Sequence, residues 1–366
     1  MAYGVVNADK LSGSNGGSIS PDSSVFRNRI INGAMVIDQR SAGASTTVTA
    51  NGYYSCDRWL TFSSQSSKYS IQQNAGAVTP PSGFSNYIGV TSLSAYSITS
   101  TDYFVLIQKV EGYNIADLAW GTASAATITL SFWVRSSLTG TFGGALRGGT
   151  GEGRSYPFTY TISAANTWEQ KSVTIAGDTT STWASTNSSG VQVQFGLGVG
   201  TSNSGTAGSW QASGLNSATG ATSVVGTSGA TFYITGVQLE KGSTATSFDY
   251  RPYGQELSLC YRYFQRRSTE GVTYGQIATG GLIGSNTLYQ TINLLQTMRV
   301  APSMSSSAAN TFSVDPGNTP GTGIAFERIN TNTYRINVTT AGNANSVGQL
   351  FANGSATAYI DASAEL

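Results

Sequence analysis

The stretch TFYITGVQLEKGSTATSFDYRPYGQELSLCYRYFQ, residues 231–265, divides this 366-residue chain. It opens as a strand. Phe232 and Ile234 share one face, and after Gly236 the apolar positions Val237 and Leu239 fall on the opposite parity. A single glycine at a parity switch predicts a β-bulge; a strand covered on both faces is the alternative. EKGSTATSFDYRPYG has no period and reads as a connector. In QELSLCYRYFQRR, Leu257, Cys260, Tyr261 and Phe264 fall at i, i+3, i+4 and i+7, one helical stripe. Pro252 and Glu256 suit its start, and Arg266 and Arg267 suit the negative end of the helix dipole. Such a stripe faces a core, its own chain's or a neighbour's.

Upstream of this stretch, period-2 strands recur between turn signals. RNRIINGAMVIDQR (27–40) breaks an apolar cluster at Asn32-Gly33, a turn dipeptide. Trp59, in YYSCDRWLTF, reads as a core aromatic. YFVLIQKV (103–110) is almost continuously apolar, as a strand covered on both faces would be. ITLSFWVR (128–135) and VQVQFGLGV (191–199) alternate cleanly. This is the pattern of an antiparallel sandwich. Downstream, short strands resume in 271–277, 288–295, 312–314, 324–329, 334–338 and 358–360. The expected organisation is all-β: an attachment arm (1–26), a large antiparallel sandwich (27–250), a linker helix (251–268) and a second, smaller β-sandwich (269–366).

Composition narrows the function. Charged residues are 10% of the chain, against roughly 25% in an average soluble protein. Net charge is +1 with no basic block, so a nucleic-acid footprint is missing. No apolar run reaches membrane-spanning length, and MAYGVVNADKLSGSNGG lacks the pattern of a secretory signal. Two distant cysteines, Cys56 and Cys260, make neither a disulfide framework nor a metal motif, and read as buried thiols. Histidine is absent, which excludes Ser-His-Asp and Cys-His mechanisms and His-containing zinc sites.

The remaining chemical signals are weak or point to sugars. GGTGEGRS (148–155) imitates a phosphate loop but has Arg where Lys belongs and runs into YPFT, which reads as strand. Asp57, Asp102, Glu111, Asp117, Glu152, Glu169 and Asp178 sit in no recognisable hydrolase motif, and no D-x-D-x-D-G run offers calcium ligands. No cofactor and no metal are expected. β-Sandwiches can hold glycans on exposed aromatics with a few polar side chains. The candidates in turn-like surroundings are Tyr156, Trp168, Trp183 and Trp210, with Arg147 and Arg154 nearby; core packing is the competing reading for each ring. Trp183, in the all-polar DTTSTWASTNSSG, is the sharpest candidate.

Several stretches carry a resemblance: RNRIINGAMVIDQR (27–40), CDRW (56–59), TLSFWVRSSLTGTFGGALR (129–147), RSYPFTYTISAANTWEQKSVTI (154–175), FYITGVQLEKGSTATSFDYRPYGQELSLCYRYFQR (232–266) and SAEL (363–366). They resemble tail-fibre or receptor-binding-type structural proteins of tailed bacteriophages with a carbohydrate-binding-module-like jelly roll. The resemblance implies a jelly-roll sandwich, a homotrimer, and an N-terminal arm attached to phage tail or capsid proteins in a virion assembled in the host cytoplasm. No catalytic motif comes with it, so a non-enzymatic protein contacting host-surface glycan is expected. A capsid fibre or head-decoration protein and a polysaccharide-depolymerase tailspike are the alternatives. In a trimer, Leu257, Cys260, Tyr261 and Phe264 would be the leading subunit contacts.

Overall fold

The computed structural model describes residues 27–269, 272–283, 286–315, 319–341, 347–354 and 357–366, and a short strand pair, Leu11–Ser12 with Ser18–Ile19. The rest of the expected attachment arm lies outside the described residues. Nearly all regular structure is strand, as the composition requires. Among the described residues, no helix is long and apolar enough to cross a membrane.

Two six-stranded antiparallel sheets form the large jelly-roll sandwich. The front sheet runs, edge to edge, Arg154–Ile162, Gly140–Gly148, Ser189–Val199, Tyr103–Glu111, Trp59–Ser63 and Tyr53–Tyr54. The back sheet runs Glu169–Ile175, Ile128–Ser136, Thr231–Lys241, Ile88–Ser92, Tyr69–Gln73 and Thr46–Thr47. Alternation places Ile128, Leu130, Phe132 and Val134 in the core against Val191, Val193, Phe195 and Leu197. Phe132 meets Phe195 edge-to-face at 5.0 Å, and Trp59 stands 6.3 Å from Phe195. Burial of each such ring stabilises the fold by about 1.5–3 kcal/mol. The strand read as covered on both faces is so: Phe104 and Leu106 are buried on one side, Val105 and Ile107 on the other.

The bulge predicted at Gly236 is present. Pairing between Thr231–Lys241 and Ile128–Ser136 shifts register between Thr235 and Gln238. Gly236 has φ 60°, and a Cβ there would lie 2.6 Å from Phe84 Cζ. The position therefore needs glycine for its backbone and for the ring seated on it.

The helix is shorter than its stripe. It covers Tyr253–Tyr261, and Phe264 already belongs to the strand Phe264–Ser268. The aromatic run Tyr261, Tyr263 and Phe264 suits a pleated strand, and pairing with Tyr359–Ser363 captures it. Arg266 locks that pairing through two bonds to Asp361, both 2.7 Å. Arg266 and Arg267 thus serve a strand, not a helix terminus.

The second unit is also all-β, but its main sheet closes on itself where a sandwich was expected. Gln276–Ile283, Thr287–Asn293, Thr333–Thr340, Thr319–Glu327, Phe312–Asp315 and Val347–Ala352 form a six-stranded barrel around Leu288, Phe312, Ile336 and Leu350. Phe264–Ser268, Tyr359–Ser363 and Ser303–Ser306 make a separate three-stranded sheet.

Buried charge joins the two units. Arg262 grips Glu111 with bonds of 2.9 and 2.6 Å, and Tyr263 Oη donates to the same carboxylate at 2.6 Å. Burial pushes Glu111 up, but these bonds outweigh it and hold the carboxyl below its ordinary range. Glu365 pairs with Arg58 and, at 3.1 Å, with Arg40; Arg58 stacks on Tyr263 and Arg40 on Phe264. Asp57 beside them accepts the Gln39 N–H at 3.1 Å. Burial raises its carboxyl to about 6, against the lowering pull of Arg40 and Gln39.

Candidate functional site

The structure gathers most of the sugar-binding candidates in one place and buries their centre. Trp183 is 9% exposed, packed on Gly148 and Gly121. Its Nε1 donates to Asp178 Oδ2 at 3.0 Å. Edge-to-face contacts link it to Trp120 (4.7 Å) and Trp210 (5.5 Å), and Trp210 to Tyr156 (5.3 Å). Arg154 holds Asp178 from the other side at 3.0 and 2.7 Å. Burial raises the Asp178 carboxyl, but bonds from Arg154, Trp183, Ser181 and Thr180 outweigh it and hold it below the ordinary carboxylate range.

This cluster is a seal. Trp210 Nε1 donates to Ala176 O at 2.8 Å, just beyond one edge strand, while Gln211 bridges to Ser155 on the other. The two sheets are thereby closed at an edge. The reading of Trp183 as an exposed platform is corrected: its polar neighbours are polar because they satisfy the buried indole and its carboxylate. Trp210 and Tyr156 stay half-exposed at the rim. Arg147 stands apart on the outer face of the front sheet, bonded to Asn216 Oδ1 and Glu152 O, both at 3.0 Å. Trp168, half-exposed, lies on the back sheet and donates to Thr79 O at 2.9 Å.

The helix stripe finds its partner within the chain. Cys260 is fully buried with Ile31, Ile37 and Tyr263, Leu257 packs on the same group, and Phe264 is 3% exposed. Cys260 and Phe264 are therefore not available to a second copy; the segment after Asn28 fills the role assigned to a neighbour. Tyr261 remains half-exposed. Cys56 and Cys260 are both free and buried, as expected.

The accessible aromatics are elsewhere, and the connector builds them into a site. Phe84, Phe248 and Tyr250 pack as a trio with centroids 5.1, 5.5 and 4.8 Å apart. They border a surface cleft of about 140 Å³ lined also by Ala34, Val36, Gly83, Ser85, Arg251 and Glu256. Tyr250 is 57% exposed. Its hydroxyl donates to Gly83 O at 2.9 Å, and Gly83, at φ 89°, has no room for a Cβ beside that oxygen. The connector is held rigidly: Asp249 N donates to Gln238 Oε1 at 2.8 Å, Arg251 donates to Ile30 O at 3.0 Å, and Glu256 accepts the Asn32 N–H at 2.5 Å. Rings pinned this way lose little freedom when a ligand stacks on them.

Sequence reasoning passed over these rings because EKGSTATSFDYRPYG is aperiodic and Phe84 sits in a Pro- and Ser-rich loop. The available signal was Gly236, whose bulge makes the seat for Phe84. Among the described residues, no group of three or more His, Cys, Asp or Glu could hold a metal ion.

No family model matches the chain, and no curated protein matches it. Solved structures similar to it include the enzymatically active domain of tailspike protein 4 of bacteriophage CBA120, at 12% identity and TM-score 0.32 over 60% of this chain. The match spans 22% of that domain's chain. Another is the family 11 carbohydrate-binding module of a cellulosomal cellulase of Clostridium thermocellum, at 9% identity and TM-score 0.26, covering 56% of this chain and 99% of that one.

Proposed function

We propose that this chain is a virion structural protein of a tailed bacteriophage, a tail-fibre or receptor-binding protein that contacts host-surface glycan without cleaving it. The observation that carries the glycan part is the Phe84–Phe248–Tyr250 cleft: three fixed rings at the surface, with Ser85, Arg251 and Glu256 around them. Sugars present apolar C–H faces to aromatic rings and hydroxyls to polar rims, and this cleft offers both. The virion part rests on the sequence resemblance, with the 1–26 arm as the attachment segment and a homotrimer as the assembled form.

Five of the seven carboxylates singled out in the sequence have structural partners, which supports the non-enzymatic reading. Arg29 holds Asp117, Arg262 holds Glu111, Arg154 holds Asp178, Lys171 holds Glu169, and Ser64 and Thr99 hold Asp102. A glycosidase needs two carboxyl groups facing a shared substrate, whereas these are engaged by structural partners.

The test is binding of purified protein to a bacterial glycan array, wild type against Tyr250→Ala. Wild-type binding that falls about tenfold in the variant, as loss of one stacked ring would give, supports the reading. An array with no wild-type binding overturns it, and release of reducing ends from a bound polysaccharide overturns the non-enzymatic part.

A further inference from the structure

Beside the cleft, the outer face of the back sheet carries two more half-exposed rings and an arginine that makes no ion pair among the described residues. On Ile128–Ser136, Phe132 and Val134 enter the core, so Trp133 and Arg135 point outward. Trp133 stands opposite Thr235 and Gln170, and Arg135 opposite Tyr233. Trp168 immediately precedes the edge strand Glu169–Ile175. Two excursions cover this face from its ends. Loop 74–87 packs on Tyr233 through Tyr87, 5.2 Å away, and holds Trp168 at Thr79. The connector covers the other end through Gln238, which donates to Ser247 O at 3.3 Å. Between them Trp133, Arg135 and Trp168 stay half-exposed and Gln170 exposed.

This ground is continuous with the cleft. A Cβ at Gly236 would meet Phe84 Cζ at 2.6 Å and Trp133 Cδ1 at 3.1 Å, so the two rings flank one point. Arg135 is held by one backbone bond, Nε to Asn166 O at 2.9 Å, and by Tyr233, whose centroid is 5.3 Å from Cζ. Among the described residues it makes no ion pair. Glu169, on the adjoining strand, is engaged by the Ser163 and Ala164 N–H groups at 2.8 Å and by Lys171 Nζ at 2.6 Å. A guanidinium fixed at Nε and over a ring keeps its terminal nitrogens for a carboxylate, which it can take with two parallel bonds. The flanking indoles supply faces for the sugar that carries it.

We propose that Trp133, Arg135 and Trp168 form a second subsite for a carboxylate-bearing sugar in the same glycan chain that enters the Phe84–Phe248–Tyr250 cleft. The inference rests on the glycan reading of that cleft and adds the class of glycan: an acidic polymer spanning both subsites.

The experiment uses an array of acidic bacterial polysaccharides, each paired with its carboxyl-reduced neutral form, probed with wild type, Arg135→Gln, Arg135→Lys and Tyr250→Ala. All variants are first shown by thermal unfolding to be folded at the assay temperature. Wild type should prefer the acidic member roughly tenfold, the effect of one charge-assisted contact. That preference should shrink as salt rises, vanish in Arg135→Gln and persist in part in Arg135→Lys. Tyr250→Ala should weaken both members of a pair together. Equal binding of both members by wild type, or a preference unchanged in Arg135→Gln, overturns the subsite and leaves the cleft reading intact. No wild-type binding to any member overturns both.

Discussion

At one edge of the sandwich Trp120, Trp183, Trp210 and Tyr156 meet edge-to-face and close over each other; on the back sheet Phe84, Phe248 and Tyr250 meet at similar distances and stay open. Trp183 is 9% exposed and Tyr250 57%. The rings are alike in chemistry, so their neighbours decide the outcome. Around Trp183, a carboxylate takes the indole N–H and the segment carrying Trp210 crosses the edge to cover it. Around Tyr250, the connector delivers the ring to the surface, ties its hydroxyl to Gly83 and then turns into the helix. One cluster completes a core, and the other leaves ring surface for a ligand.

The comparison breaks first at Trp183. Trp183→Ala should destabilise the protein by about 3–5 kcal/mol, the cost of emptying a large core site, read as a lower midpoint in chemical unfolding. Glycan affinity per folded molecule should not change; a loss of affinity with little loss of stability would mean that the sealed cluster is the binding surface after all. Next is the joint between the units. Arg262→Ala leaves the Glu111 carboxylate, buried and 2% exposed at its side chain, without its ion partner. It should cost about 3 kcal/mol, and unchanged unfolding would contradict the account of that joint.

Gly236→Ala should cost about 1–3 kcal/mol, because it strains a positive φ and pushes on Phe84. Since Phe84 forms one wall of the cleft, this variant should also weaken glycan binding, which Trp183→Ala should not. A stable Gly236→Ala protein with wild-type binding would break the link between bulge and cleft.

The last stability effect is a pH dependence. Asp57 has a folded pKa of about 6 against an ordinary 3.8, so the folded state holds the extra proton between those values. Ionisation of Asp57 therefore lowers stability as pH rises from about 4 through about 6. Glu111 and Asp178 act in the opposite sense, since their stabilisation is lost as pH falls through their depressed values. Asp57→Asn should flatten the unfolding midpoint between pH 4.5 and 7; an unaltered slope would remove Asp57 as its source.

Local patterning made much of the fold legible. Ile128 to Val134 and Val191 to Val199 alternate because each strand has one core face, and Gly236 marked the bulge because a parity change needs an extra residue. The helix end was not legible: Leu257, Cys260, Tyr261 and Phe264 keep helical spacing, but the pairing partner of Phe264 lies about a hundred residues away, at Ser363. Barrel closure was hidden for the same reason. The candidate site was the least legible part. The sequence shows that Trp183 has polar neighbours, but not that Asp178 would turn inward to accept its N–H. It shows Phe248 and Tyr250 in a connector, but not that Phe84, more than a hundred and sixty positions earlier, would meet them.

The proposed glycan surface is the open aromatic cluster and not the sealed one. Titration calorimetry of wild type and Tyr250→Ala against a polysaccharide bound on the array tests it most directly. The account predicts about a tenfold loss of affinity in Tyr250→Ala, roughly 1.4 kcal/mol, with a much smaller drop in unfolding midpoint than Trp183→Ala gives. Equal affinity in the two proteins would contradict it.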